Sequence, residues 1–168
     1  MRYVMLLGML ATLLAGSSAA QAAETLPRPQ GPVLLKVSGK IEQTNVDGEA
    51  HFDRQMLEAL GKASFTTGSA LTDKKQLFEG VSLRAVLERA GAKGSSMQAS
   101  ALNNYKIQIP LDDMKYEPII AMRVDGQVLK LRDKGPLWIV YPRDAYPELQ
   151  AQIYDSRWIW QLNKLHVE

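Results

Sequence analysis

The chain has 168 residues, 20 Lys and Arg against 18 Asp and Glu, a formal net charge of +2, and no cysteine. This balance, with no Lys/Arg run or stripe, excludes a protein that holds nucleic acid by charge. The missing cysteine excludes disulfide staples, a thiol nucleophile, a Cys-zinc site and an iron–sulfur cluster.

Residues 1–22 have the layout of a secretory signal peptide. Arg2 supplies the positive end, and an apolar run follows from Tyr3 to Leu14, interrupted by Gly8 and Thr12. Small residues come next and contain Ala20-Gln21-Ala22 as an A-x-A cleavage site. The run is shorter than the roughly 20 residues that cross a bilayer. The expectation is a mature chain from Ala23, periplasmic, with no membrane span after cleavage. Residues 23–32 hold Pro27, Pro29 and Pro32 and are expected to form an extended leader. Residues 33–168 are long enough to bury one core.

Val33 to Gly39 is a β-rich run. Asp47-Gly48 offers a turn, and Glu49 to Phe52 a return strand. Asp53 can cap a helix through Leu60 that turns Met56, Leu57 and Leu60 to one side, with Gly61 at its end. Ala63 to Ala70 reads as a strand leaving a loop. Ser82 is an N-cap for a helix in which Leu83, Val86, Leu87 and Ala90 follow helical spacing, and Gly91 ends it. Met97 to Leu102 and Tyr105 to Ile109 are strands around Asn103-Asn104, and Pro110 begins a loop. Ile119 to Val124 and Gln127 to Leu131 flank Asp125-Gly126, a hairpin signal. Leu137 to Tyr141 reads as a buried strand, and Trp158 to Val167 as the last one. Many short strands with two short helices imply an α+β domain.

Enzyme chemistry finds little support in these residues. His51 and His166 stand far apart, with no metal-ligating neighbour at i+3 or i+4. Asp112, Asp113 and Glu148 read as solvated loop carboxylates, and no nucleophile–base pair is assembled. Binding chemistry concentrates near the C-terminus. Trp138, Tyr141, Tyr146, Tyr154, Trp158 and Trp160 are interleaved there with Arg143, Asp144, Asp155, Ser156 and Arg157. On a strand, Trp158 and Trp160 would share a face and Ile159 would oppose them. Aromatic faces with a few fixed donors and acceptors suit a flat, hydrogen-bonding ligand, and equally a core with an ion-paired edge.

Several segments occur together in order: Phe78-Glu79-Gly80-Val81-Ser82-Leu83, Ala101-Leu102-Asn103-Asn104-Tyr105 with Ile109-Pro110, Asp125-Gly126, Arg132-Asp133-Lys134-Gly135-Pro136-Leu137-Trp138, Tyr141-Pro142 and Ser156-Arg157-Trp158-Ile159-Trp160-Gln161-Leu162. With them the chain resembles the sulfite-oxidase-like molybdopterin-binding domains, in particular a secreted branch. The resemblance implies an α+β fold with a β-rich mixed core and short helices. The redox enzymes of that family ligate molybdenum through a Cys, where this chain has Ser64 to Gly68. They also carry an Arg in the strand where it has Trp138. A hydroxyl is a poor substitute for a soft thiolate at molybdenum.

The secreted branch implies a sensor of free, neopterin-like pterins rather than a molybdopterin enzyme, with no covalent cofactor. The implied partner is the periplasmic domain of a membrane-bound diguanylate cyclase or phosphodiesterase, and the implied output is cyclic-di-GMP control of biofilm formation. The alternative is a molybdopterin-dependent periplasmic oxidoreductase with a non-Cys ligand. By position, the resemblance makes Arg157 and Ser156 the first ligand contacts, and Trp138, Tyr141 and Trp158 candidate stackers. Asn104 and Tyr105 overlook the pocket, and Thr66 and Thr67 occupy the vacated metal-ligand region. Arg132 and Asp144 complete the set. If Arg157 were instead structural, it would form a surface ion pair with Asp155.

Overall fold

Alternating burial sets the first of two sheets. The computed structural model describes residues 25–70 and 72–168; residues 1–22, expected to be a signal peptide, lie outside them. In chain order the elements are β1 (Val33–Gly39), β2 (Ala50–Asp53), α1 (Arg54–Glu58), β3 (Ala63–Ser69), β4 (Thr72–Ser82), α2 (Leu83–Arg89), β5 (Ser96–Ala101), β6 (Lys106–Pro110), β7 (Ile119–Val124), β8 (Gln127–Val128), β9 (Trp138–Val140), α3 (Gln152–Asp155) and β10 (Leu162–Val167). Short 3-10 helices lie at Leu111–Tyr116, Leu131–Asp133 and Pro147–Gln150. Leu35 and Val37 of β1, Met97, Ala99 and Ala101 of β5, and Leu165 and Val167 of β10 point inward. That period of two presents one apolar face per strand.

The first sheet runs β2-β1-β10-β5-β6. Its β1 and β10 are parallel, so the C-terminal strand sits at the centre of the sheet. The second sheet runs β3-β4-β7-β8, with β9 also on β7. One edge of β7 carries β4; the other carries β9 at Ile119–Ala121 and β8 at Arg123–Val124. Phe78, Val81, Leu83, Val86, Ile120 and Ile139 are fully buried in one continuous core, each such side chain contributing about 1.5–3 kcal/mol.

Local chemistry explains most element ends. Asp53 Oδ1 accepts the Met56 N–H at 2.9 Å and caps α1. Its other oxygen accepts the N–H groups of Gln30 and Gly31 at 2.8 and 2.9 Å, which pins the extended leader to the body. Ser82 caps α2. The Asp125-Gly126 turn has positive φ at both residues (49° and 75°), the conformation that suits a two-residue hairpin. No helix among the described residues is long and apolar enough to cross a membrane.

The structure corrects several expectations. Strand β4, eleven residues long, is longer than any other described strand, yet its first half is polar and gives no alternating signal. The loop expected after Pro110 is a 3-10 helix that buries Asp113, Met114 and Tyr116. The hairpin arm expected to Leu131 stops at Val128. The last strand starts at Leu162, not Trp158, because Gln161 takes a positive φ of 52°. Trp158 and Trp160 therefore do not share a strand face. Trp158 and Ile159 are buried, while Trp160 is partly exposed and bridges Trp138.

Candidate functional site

The end of β5, the turn before β6 and the segment after α3 converge on a cleft of about 320 Å³. Its walls are Ala101, Asn103, Tyr105, Asp155, Ser156, Trp158, Ile159 and Trp160. That volume lies at the small end of ligand pockets. The turn is shaped by Asn104 in the left-handed region (φ 67°) and by Asn103 Oδ1 accepting the Tyr105 N–H at 3.0 Å. The opposite wall is fixed backbone to backbone. Arg157 N–H donates to the Tyr154 carbonyl, and Ile139 N–H of β9 to the Ile159 carbonyl, both at 3.0 Å. Tyr105 hydroxyl spans the two walls and donates to the Ser156 carbonyl at 3.2 Å.

Behind the cleft, Phe78, Trp138 and Trp158 form a mutual edge-to-face cluster with ring centroids 5.4–5.9 Å apart. Such pairs add about 0.5–1.5 kcal/mol each beyond area burial. Trp158 thus serves the core and lends one side to the cleft; Trp138 belongs to the core alone. Both indole Nε1–H groups are buried without a protein acceptor. An orphaned buried donor costs about 1–3 kcal/mol.

Beneath the wall lies a buried polar triad. Asp113 Oδ2 accepts the Arg157 Nη1–H at 2.6 Å and the Tyr141 hydroxyl at 2.8 Å. The Arg157 guanidinium also lies over the Tyr154 ring, 4.8 Å from its centroid. This corrects three readings. Arg157 is only 8% exposed and pairs with Asp113, not with Asp155, whose partner is Arg143 at 3.3 Å. Asp113 is not a solvated loop carboxylate. Tyr141 has no exposed ring surface with which to stack on a ligand. A desolvated carboxylate needs charged or hydroxyl donors, and these two residues supply them. Burial, followed by the Asp113 charge, pushes the Tyr141 phenol far above its usual range, so it stays a donor.

A second polar corner joins the cleft through the Arg143–Asp155 pair. Thr67 Oγ1 donates to the Gly68 carbonyl at 3.3 Å and accepts the Asp144 N–H at 3.1 Å. Asp144 Oδ2 accepts the Gly68 N–H and lies 3.1 Å from Lys75 Nζ. The Gly68 N–H first, then Lys75, holds the Asp144 carboxyl below the ordinary aspartate range.

The structure therefore divides the residues singled out by sequence. Ser156, Trp158 and Tyr105 line one cleft. Thr67 and Asp144 meet each other at the adjoining corner. Arg157, Tyr141 and Trp138 lie in the interior behind the wall. Thr66, Asn104 and Arg132 are exposed, Arg132 beside Asp133 on the 3-10 helix at Leu131–Asp133. The sequence put Asn103 in no role, read Asp113 as a solvated carboxylate and offered Asp155 as a surface partner of Arg157. Asn103 was discoverable from its place in the Asn103-Asn104-Tyr105 turn; Asp113 had no local signal.

At Ser64 to Gly68, the region that the resemblance sets against the metal ligand, the donors do not fit molybdenum. The chain has no thiolate, Thr66 is exposed, and Thr67 already has two hydrogen-bond partners. Among the described residues, no group of three or more His, Cys, Asp or Glu is placed to hold a metal ion.

Comparison with known proteins gives the family. A model described as the oxidoreductase molybdopterin binding domain matches residues 49–146, more than half of the chain. The matched span contains Thr67, Tyr105, Asp113 and Asp144 but stops short of the Ser156–Trp160 wall. Among solved structures, the sulfane dehydrogenase SoxCD from Paracoccus pantotrophus superposes with a TM-score of 0.62 at 16% identity. The match covers 79% of this chain but only 37% of that one, and at this identity it speaks for the fold alone. No curated protein matches the chain. With an α+β, sulfite-oxidase-like fold and this family match, the chain belongs to the oxidoreductase molybdopterin binding domain family.

Proposed function

We propose that this protein is a periplasmic sensor of small free pterins that relays pterin status to a membrane-bound cyclic-di-GMP enzyme. One observation carries the reading: a molybdopterin-type fold carries an aromatic-walled cleft but has no thiolate for the metal. Trp158 and Trp160 supply apolar surface. Asn103, Ser156 and Asp155 supply hydrogen-bonding groups for the polar edge of a pterin. The resemblance to the secreted branch supports a neopterin-like ligand. It also supports the periplasmic domain of a diguanylate cyclase or phosphodiesterase as partner, and biofilm formation as output. The signal-like segment at residues 1–22 supports the location.

A molybdopterin-dependent oxidoreductase is the second reading, favoured by the family match itself. Purification from the native host separates the two. Mass spectrometry of the bound small molecules and metal quantification of the same sample are expected to find a free pterin and no stoichiometric molybdenum. Molybdopterin with stoichiometric molybdenum would establish the enzyme instead.

A further inference from the structure

Eight large hydrophobic side chains are exposed among the described residues; two of them line the Trp158 cleft, and three more belong to residues adjoining its walls. Tyr105 and Trp160 are part of its lining. Leu102 adjoins them, its N–H donating to the Gln161 carbonyl at 3.0 Å. Leu131, 57% exposed, is tied to the same residue, its carbonyl accepting the Gln161 Nε2–H at 2.9 Å. Ile153, 59% exposed, adjoins the Ser156 wall, its carbonyl accepting the Ser156 hydroxyl at 2.7 Å. Single exposed apolar residues are ordinary, but five gathered at and beside one cleft mark an interaction site.

The charges beside this group are unequal. Asp133 and Asp155 are matched by Arg132 and Arg143. Lys130 is exposed, and Lys134 Nζ lies 4.8 Å from the Trp138 ring centroid and 5.8 Å from that of Trp160; neither lysine is paired with a carboxylate. The uncompensated charge at the rim is positive.

We propose that this rim docks an amphipathic segment of a partner protein, apolar on one side and carrying Asp or Glu where it meets Lys130 and Lys134. Apolar residues spread over and beside a cleft fit a protein segment better than a flat lipid surface. The inference rests on the sensor reading. A ligand in the cleft touches Tyr105 and Trp160, and these two side chains also belong to the docking rim. Occupancy of the cleft then changes the surface that the partner meets, so one small site couples ligand to partner.

Site-specific photo-crosslinking tests this in the native host with the full-length chain. A benzoylphenylalanine is placed at Leu131 or Ile153, or at the exposed control positions Val33 and Leu77, and crosslinked peptides are identified by mass spectrometry. Leu131 and Ile153 are expected to capture one protein through a peptide rich in apolar and acidic residues, and the controls are not. Adding Lys130→Glu is expected to lower that yield roughly tenfold, since one close charge pair is worth about 1.5 kcal/mol or more at an interface. Capture of a second copy of this chain, of lipid alone, or of nothing overturns the proposal. So does equal capture at Val33, or a yield indifferent to Lys130→Glu. Neopterin titration of the parent chain is read separately. Lost titration with capture intact sinks the pterin reading alone, whereas intact titration with failed capture sinks the docking surface alone.

Discussion

Arg157 Nη1 and Asp113 Oδ2 lie 2.6 Å apart in the interior, directly behind the Ser156–Trp158 wall of the cleft. The pair holds that wall in place without presenting a charge to the opening. Removing one member leaves the other buried and uncompensated, which costs about 3–5 kcal/mol. Arg157→Ala and Asp113→Ala are each expected to lose that much stability in urea unfolding. Their double variant is expected to lose less than the sum of the two. A loss below about 1 kcal/mol for both singles would match a surface pair and contradict the buried geometry.

The pH dependence of stability is expected to report Asp53. Backbone N–H groups, Met56 first and then Gly31, hold its carboxyl below the ordinary aspartate value of about 3.8. A depressed folded-state pKa contributes stability that is fully present above the unfolded value and is lost as pH falls through the folded one. Wild type is therefore expected to lose stability below about pH 4, and Asp53→Asn to lose less over that range while being less stable at neutral pH. Parallel acid titration curves for the two proteins would contradict this.

The two tryptophans of the cleft are expected to behave differently. Trp158 is buried against Phe78 and Trp138, so Trp158→Ala is expected to cost about 3–5 kcal/mol. Trp160 is partly exposed, and Trp160→Ala is expected to leave unfolding within about 1 kcal/mol of wild type. It is expected to weaken pterin binding roughly tenfold. Similar stability losses from both substitutions would mean that the rings share the core equally.

The helix from Ser82 to Gly91 was legible because cap, apolar spacing and terminator all agree. The Asp125-Gly126 hairpin was legible because few residues adopt two consecutive positive φ angles. Strand β4 was not, since the pairing of its polar first half to β3 is decided by backbone hydrogen bonds and not by side-chain pattern. The aromatic segment misled because alternation at Trp158, Ile159 and Trp160 resembles a strand until Gln161 turns the chain. Ser156, Trp158 and Tyr105, which the resemblance puts forward as ligand contacts, share one cleft. Asp113 was not found, because its partner Arg157 lies 44 residues away and no local rule links them.

Calorimetric titration of the purified protein with neopterin tests the proposed pterin binding most directly, with Trp160→Ala titrated in parallel. A saturable one-site isotherm is expected for wild type and a roughly tenfold weaker one for Trp160→Ala. At about 100 times the dissociation constant, neopterin is also expected to stabilise the wild-type fold by about 2.7 kcal/mol. Absence of heat and of any thermal shift for neopterin and its oxidised and reduced relatives would contradict a pterin site in this cleft.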